Sequence, residues 1–380
     1  MKKIVIASDS FKGSVSSAEV AESAKEGILR IFPDCEVSCL SVADGGEGIT
    51  EALISHLKGK RIECTVHNPL MEPVSAGYIL SENGNTAIIE TAAASGLSLI
   101  PKEKRNPMIT TTFGTGELIK DAILHGCREI LLGIGGSATN DAGTGMLQAL
   151  GFRFRDKDGI SLGYGGEILS RIDFVDESGV LPQLKNCRFT VICDVNNPLF
   201  GTNGAAYVYA PQKGADDKQV HLLDKGLRNF ARIAENLKQI KICDVPGSGA
   251  AGGLGAGCLA FLQARLKPGI DTVLEMLDFD KCIAGADLII TGEGKLDRQT
   301  IMGKTASGIL SAARKQNIPV IALGGCVENP EELTNAGFLA AFPILPYPVT
   351  LEQAMQKDFT LHNITLITEQ IMRIIRKYTD

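Results

Sequence analysis

Short apolar runs alternate with helical stripes at both ends of the chain, and this alternation restricts the fold more than any other feature. Near the start, KIVIAS reads as a buried strand, Val20, Ala24, Ile28 and Ile31 as a helical stripe, and CEVSCL as a second strand. Ser16-Ser17-Ala18-Glu19 supplies a capping box for that helix, and Glu47 to Leu57 reads as another helix before the strand RIECTV. The last hundred residues alternate in the same way. There ADLIIT, IPVIAL and FLAAFPI are strands separated by helical stretches, and the final helix places Ile364, Ile367, Ile371 and Ile374 on one face. Three strands from each end predict one six-stranded parallel sheet.

The middle of the chain reads differently. VSAGYIL and TAIIE flank Ser81-Glu82-Asn83-Gly84-Asn85, and Asn-Gly between two apolar runs is a hairpin signal. A helix near Leu118 to Leu124, the strand EILLGI and a helix near Gly143 to Leu150 follow, so this sheet is expected to be mixed. The fold class is therefore α/β with two domains. Residues 1–66 and 282–380 are expected to form a parallel, doubly wound Rossmann- or flavodoxin-like sheet, with 67–281 inserted as a mixed α/β domain.

Charge and cysteine usage limit what such a chain can act on. Lys and Arg number 38 against 44 Asp and Glu, interspersed, for a net charge of −6. A nucleic-acid partner would call for a basic stripe, so none is expected. No apolar run approaches the roughly 18 residues of a membrane span, and the ten cysteines show no CxxC or zinc-like spacing. Reduced thiols and a cytoplasmic setting are the expectation. The five histidines show no HExxH or other ligand spacing and read as structural.

Glycine is the outlier, with 42 copies clustered just after apolar strands. Beyond the carboxyl ends of parallel strands is where open α/β sheets bind ligands. The first such segment, Ser8-Asp9-Ser10-Phe11-Lys12-Gly13-Ser14, suits a phosphorylated or polyhydroxylated ligand, and equally a capped loop with a solvated lysine. Ala43-Asp44-Gly45-Gly46-Glu47-Gly48 presents two carboxylates, for metal or substrate hydroxyls, or simply as N-cap and N3 of a helix. Gly133-Ile134-Gly135-Gly136-Ser137-Ala138-Thr139-Asn140-Asp141 lies between a strand and a helix, where backbone N–H groups and the helix dipole bind anions. It mimics a dinucleotide fingerprint, Gly133-x-Gly135-x-x-Ala138 with Asp156 or Asp158 beyond, but sits outside the first βαβ unit, and a phosphate cradle is the better reading.

Three further segments complete the set. Gly247 to Gly257 holds six glycines in eleven residues, for close approach of backbone to a ligand or for a tight helix contact. Gly292-Glu293-Gly294-Lys295-Leu296-Asp297-Arg298-Gln299-Thr300 runs to Gly303-Lys304-Thr305, yet Arg298 stands where a P-loop needs glycine. Cys193-Asp194-Val195-Asn196-Asn197-Pro198 follows a strand and offers a carboxylate able to accept a proton, or an Asx-turn before proline.

Taken jointly, ASDSFKGSVSS, VADGGEG, TTFGTGELI, GIGGSATNDAGTGMLQALG, CDVNNPL, GAAGGLGAG and TGEGKLDRQT closely resemble the type 1 glycerate kinases, in order along nearly the whole chain. The resemblance implies ATP-dependent phosphorylation of D-glycerate on its 2-hydroxyl. A 3-phosphoglycerate-forming kinase and a Rossmann-type NAD-dependent dehydrogenase are the alternatives. Phosphoryl transfer requires a phosphate cradle, a cation and a carboxylate at the acceptor hydroxyl. On that basis Gly135, Gly136, Ser137, Asn140, Gly252, Gly253 and Gly255 are assigned to ATP, and Ser10, Asp44, Glu47, Asn196 and Lys295 to substrate. Asp194, then Asp297, is the expected base with Lys12 as catalytic cation, while Asp44 and Glu293 are expected to hold Mg²⁺. These residues fall on both sides of the proposed boundaries, so the active site is expected in the interdomain cleft. The oligomeric state is left open.

Overall fold

The computed structural model describes residues 1–43, 54 and 57–379. Strands β1 (Lys3–Ser8) and β2 (Glu36–Ser41) open the chain, joined by a helix over Ser17–Leu29 whose capping box is formed by Ser16 and Glu19 as expected. Then come β3 (Lys60–His67), β4 (Pro73–Leu80), β5 (Thr86–Glu90) and β6 (Glu129–Gly133). A small antiparallel ribbon, β7 (Arg153–Arg155) with β8 (Phe174–Asp176), precedes β9 (Arg188–Ile192) and β10 (Arg265–Lys267). The chain closes with β11 (Leu288–Leu296), β12 (Val320–Val327) and β13 (Ala340–Pro343).

Two compact units result, Met1–Asp44 with Gly269–Asp380, and Gly45–Pro268. The first holds an all-parallel sheet in the order β13-β12-β11-β1-β2, which is the flavodoxin-like 2-1-3-4-5 pattern. Its core is aliphatic: Ile4, Ile6, Ile28, Ile290, Ile364 and Met372 are fully or almost fully buried. The second unit carries a six-stranded sheet, β10-β9-β6-β5-β4-β3, in which β10, β9, β6 and β5 pair in parallel and β4 alone is reversed, lying antiparallel to both β5 and β3. The Asn-Gly hairpin joins β4 to β5, as its turn chemistry required.

Three expectations change. RIECTV is β3, the edge of the second unit's sheet, so the first sheet has five strands and a boundary at 66 would cut through β3. The units divide instead after residues 44 and 268, because the helix Gly269–Met276 belongs with the first unit while 282 lies past it. In the last helix, Lys357–Thr379, Ile364 and Ile371 are buried but Ile374 is 59% exposed, and Thr368 and Met372 take its place. The helix expected over 47–57 lies outside the described residues.

The helices Ser17–Leu29 and Lys357–Thr379 approach closely at Gly27, where a Cβ would stand 2.5 Å from the carbonyl oxygen of Thr365. Alanine in a helix interior gains up to about 1 kcal/mol over glycine, but a backbone oxygen at that distance cannot rotate away. Gly27→Val, with a branch added, is therefore expected to destabilise the first unit by roughly 1–3 kcal/mol. Thermal unfolding followed by circular dichroism should show a melting point lowered by several degrees, and an unchanged one would contradict this packing.

Candidate functional site

Strands β6 and β9 run side by side and end together at Gly133 and Ile192. The loops leaving both ends face a cavity of about 340 Å³, lined by Gly135, Gly136 and Ser137 from the first and by Asp194 and Val195 from the second. This is the position beyond parallel carboxyl ends where α/β sheets place ligands.

The loop after β6 is held open by its backbone. Leu97 N–H donates to Gly136 O at 2.9 Å and Ala138 N–H to Ser95 O at 2.9 Å, while Gly136 takes φ +70°. These bonds use one carbonyl and one donor, and the N–H groups of Gly135, Gly136 and Ser137 meet no protein acceptor among the described residues. Successive free N–H groups of this kind form an anion-binding concavity. The expected contribution of a helix dipole is absent, because the next helix begins only at Thr144 and runs six residues. The loop's backbone donors act without one.

A second wall comes from the helix Ala250–Leu262, which is broken at its start: Ala251 (φ 53°), Gly252 (φ 70°) and Gly253 (φ 87°) are all left-handed. Ala250 and Ala251 line the cavity. Gly252, Gly253 and Gly255, expected to face ATP, are instead buried against protein. A Cβ at Gly252 would lie 2.0 Å from Thr139 O, and one at Gly255 2.4 Å from Gly247 O. Their glycines permit backbone to pass backbone, and so set the cradle from behind.

Asn140 is fully buried, and both polar atoms of its side chain lack a partner among the described residues. Beside it, the buried Asp141 accepts from Thr112 N–H and Oγ1, from Gly143 N–H and from Gly145 N–H, at 2.8 to 3.3 Å. Burial pushes its carboxyl above the ordinary value and these donors oppose that. Sequence reasoning missed Lys213. It ends the turn Pro211–Lys213, is 2% exposed, lines the cavity, and donates to Ser137 Oγ at 2.8 Å and Thr139 O at 2.7 Å. Burial lowers its ammonium to about 7, against some support from Asp141. A lysine in a Pro-Gln-Lys turn gives no sign of burial, which arises from packing against a loop some seventy residues earlier.

The first unit gathers a separate polar cluster where β1 and β11 adjoin, the point at which its strand order reverses. Asp9 accepts from Ser10 N–H at 2.6 Å and from Thr305 Oγ1 at 2.7 Å. Glu293 accepts from Thr300 Oγ1 at 2.5 Å and faces Lys304 Nζ at 3.7 Å; burial pushes its carboxyl up, against both partners. Lys12 is exposed in the turn between Phe11 and Val15. Asp297 caps the turn Arg298–Ile301, and although burial opposes it, Gln299 N–H, Lys304 and Lys295 hold its carboxyl below the ordinary value. Lys295 is committed to Glu328 at 3.0 Å and Asp297 at 3.5 Å.

Against known proteins, the model of the glycerate kinase family matches residues 4–376. The chain belongs to the glycerate kinase family. It is 47% identical to the glycerate kinase of Bacillus subtilis (strain 168) over 93% of both chains. The glycerate 2-kinase of Escherichia coli (strain K12) is 45% identical, again over 93% of both. Among solved structures, a provisionally named glycerate kinase 2 from Salmonella typhimurium LT2 superposes with a TM-score of 0.90 at 41% identity, covering 100% of this chain and 99% of that one. Membership makes this family member a phosphotransferase with an alcohol acceptor and ATP as co-substrate.

The dehydrogenase alternative is not favoured. Asp156, which would have served the dinucleotide fingerprint, caps its own turn by accepting from Asp158 and Ile160 N–H, as a tight loop between short strands requires. Of the residues assigned from sequence to one neighbourhood, Gly135, Gly136, Ser137 and Asp194 do meet at one cavity. Asn196 is exposed and does not line it. Ser10, Lys12, Glu293, Lys295 and Asp297 belong to the first unit, and Asp44 and Glu47 lie outside the described residues. No helix among the described residues is long and apolar enough to cross a membrane.

Proposed function

We propose that this chain transfers the terminal phosphoryl group of ATP to the 2-hydroxyl of D-glycerate. The observation that carries the reading is the cavity where the free N–H groups of residues 135–137 and the Asp194 carboxylate face the same space. Acceptor-free N–H groups suit phosphate oxygens, and a carboxylate opposite them suits the proton of an attacking hydroxyl. The 2-position is supported by the Escherichia coli relative's designation as a glycerate 2-kinase.

In this mechanism Gly135, Gly136 and Ser137 fix the polyphosphate through their backbone. Asp194 orients the acceptor hydroxyl and takes its proton as the oxygen attacks phosphorus. Glu293, which accepts from Thr300 Oγ1 and lies 3.7 Å from Lys304 Nζ, stays the proposed Mg²⁺ ligand with Asp44, which lies outside the described residues; no group of three acidic, His or Cys side chains suited to a metal occurs among the described residues. Mg²⁺, bound with the nucleotide, would neutralise charge on its phosphates and would need only one or two protein carboxylates. We place the enzyme in the cytoplasm, where its free thiols stay reduced.

Purified protein with MgATP should release ADP at least a hundredfold faster with D-glycerate than without, since an ordered site shields ATP from water. Adding enolase alone should convert the product to phosphoenolpyruvate, because enolase accepts the 2-phosphate and not the 3-phosphate. Equal ADP release with and without D-glycerate would falsify the kinase reading. Phosphoenolpyruvate formed only when a phosphoglycerate mutase is also present would reassign the position of transfer.

A further inference from the structure

We infer that Lys213 is the cation of the phosphate cradle, contacting the nucleotide's phosphate oxygens directly from the cavity wall. This inference rests on the reading of that cavity as the nucleotide site. Three observations carry it. The residue is 2% exposed and yet lines the cavity together with Gly135, Gly136 and Ser137. Its Nζ is fixed by Ser137 Oγ and Thr139 O, which satisfies two of the three donors of an ammonium and aligns the group with the loop that carries the free N–H groups. No carboxylate lies within 4 Å of Nζ among the described residues, so no ion pair neutralises the charge at contact range.

Isolated buried charge is expensive and is retained where a partner arrives to compensate it. Nucleotide phosphates are such a partner. The low proton affinity that burial gives this amine agrees with a group waiting for an anion. A purely structural clip between the turn and the loop is the competing role. It would be served by a neutral donor just as well, and at less desolvation cost. Lysine rather than a serine or asparagine at this place argues for the charge. The ammonium also bonds the side chain of Ser137, whose backbone belongs to the cradle, so ligand and loop meet on one group.

The test uses titration calorimetry on the full chain, with ADP and with adenosine, for the natural protein and for Lys213→Met. Methionine keeps the length and apolar volume and removes the charge. ADP affinity should fall by about tenfold to a hundredfold, as for a lost charge-assisted contact, while adenosine affinity stays within about twofold. Equal weakening of both ligands would show a structural clip, and unchanged ADP affinity would show no role; either overturns the inference while leaving the cavity's assignment to nucleotide intact. Failure of the natural protein to bind ADP removes that assignment and the inference with it. Should Lys213→Met not fold, reductive methylation of the natural protein gives the answer without a substitution. Saturating ADP should slow modification of Lys213 at least tenfold, and adenosine should not, as read by peptide mass spectrometry. An ADP-insensitive rate at Lys213 counts against the inference.

Discussion

Asp194→Asn is expected to lower kcat by about 10² to 10⁴, with little change in KM for either substrate, measured by ADP release with D-glycerate. Asparagine preserves shape and hydrogen bonding but cannot accept the hydroxyl's proton, so the loss falls on the chemical step. Asp194 lines the cavity with Gly136, Ser137 and Lys213 at the end of β9. Its competitor is differently occupied. Asp297 caps a turn through Gln299 N–H at 2.8 Å and pairs with Lys295, and its carboxyl is held below the ordinary range, which makes it a poor proton acceptor. Asp297→Asn should accordingly cost less than tenfold in kcat and show chiefly as a modest loss of stability, since asparagine is itself a good cap. A large effect at Asp297 with a small one at Asp194 would transfer the role of base.

Gly252→Ala should abolish measurable ADP binding or weaken it by at least a hundredfold, while Gly159→Ala should leave it unchanged. Both glycines have positive φ, +70° and +78°, so both substitutions carry about 1–2 kcal/mol of left-handed strain. They differ in space. A Cβ at Gly159 meets nothing within 4 Å, whereas one at Gly252 stands 2.0 Å from Thr139 O and 2.6 Å from Asn140 Cα. Gly252 also accepts the N–H of Ala142 at 3.0 Å, so its backbone cannot retreat without releasing the loop. The loop must move, and with it the N–H groups of residues 135–137 and the anchor of Lys213 at Thr139. Calorimetry on both variants decides: equal behaviour of the two would mean that the left-handed segment does not shape the cradle.

Much of the fold was legible because local signals agreed with tertiary packing. The capping box at Ser16 and Glu19, the Asn-Gly turn between β4 and β5, and the continuous apolar runs of β1, β11 and β12 each had one physical solution. RIECTV was misplaced for a reason visible in its own residues. Arg61, Glu63 and Thr65 alternate with Ile62, Cys64 and Val66, the pattern of an antiparallel strand with one solvated face, rather than the continuous apolar run of a strand buried on both sides. The cradle loop was legible as glycine between strand and helix. Which atoms of it face the ligand was not, since the glycines at 252, 253 and 255 are demanded by backbone contacts that no spacing reveals. Lys213 stayed hidden for a similar reason, because its burial depends on residues 137–139 rather than on its neighbours in sequence.

The pairing of β1 with β11 joins Ile4 to Leu288. On the ribosome, the first two strands therefore wait for their central neighbour until just over three-quarters of the chain has emerged, while residues 45–268 hold all the strands of their own sheet and can close it meanwhile. The completed inner unit then shortens the effective loop that β1 and β11 must close, lowering an entropic cost that rises with the logarithm of loop length. Nascent chains stopped before Leu288 carry β1 with one open parallel edge, rich in isoleucine and valine. An open edge of that kind is a template for wrong pairing, and β11 is the strand that covers it.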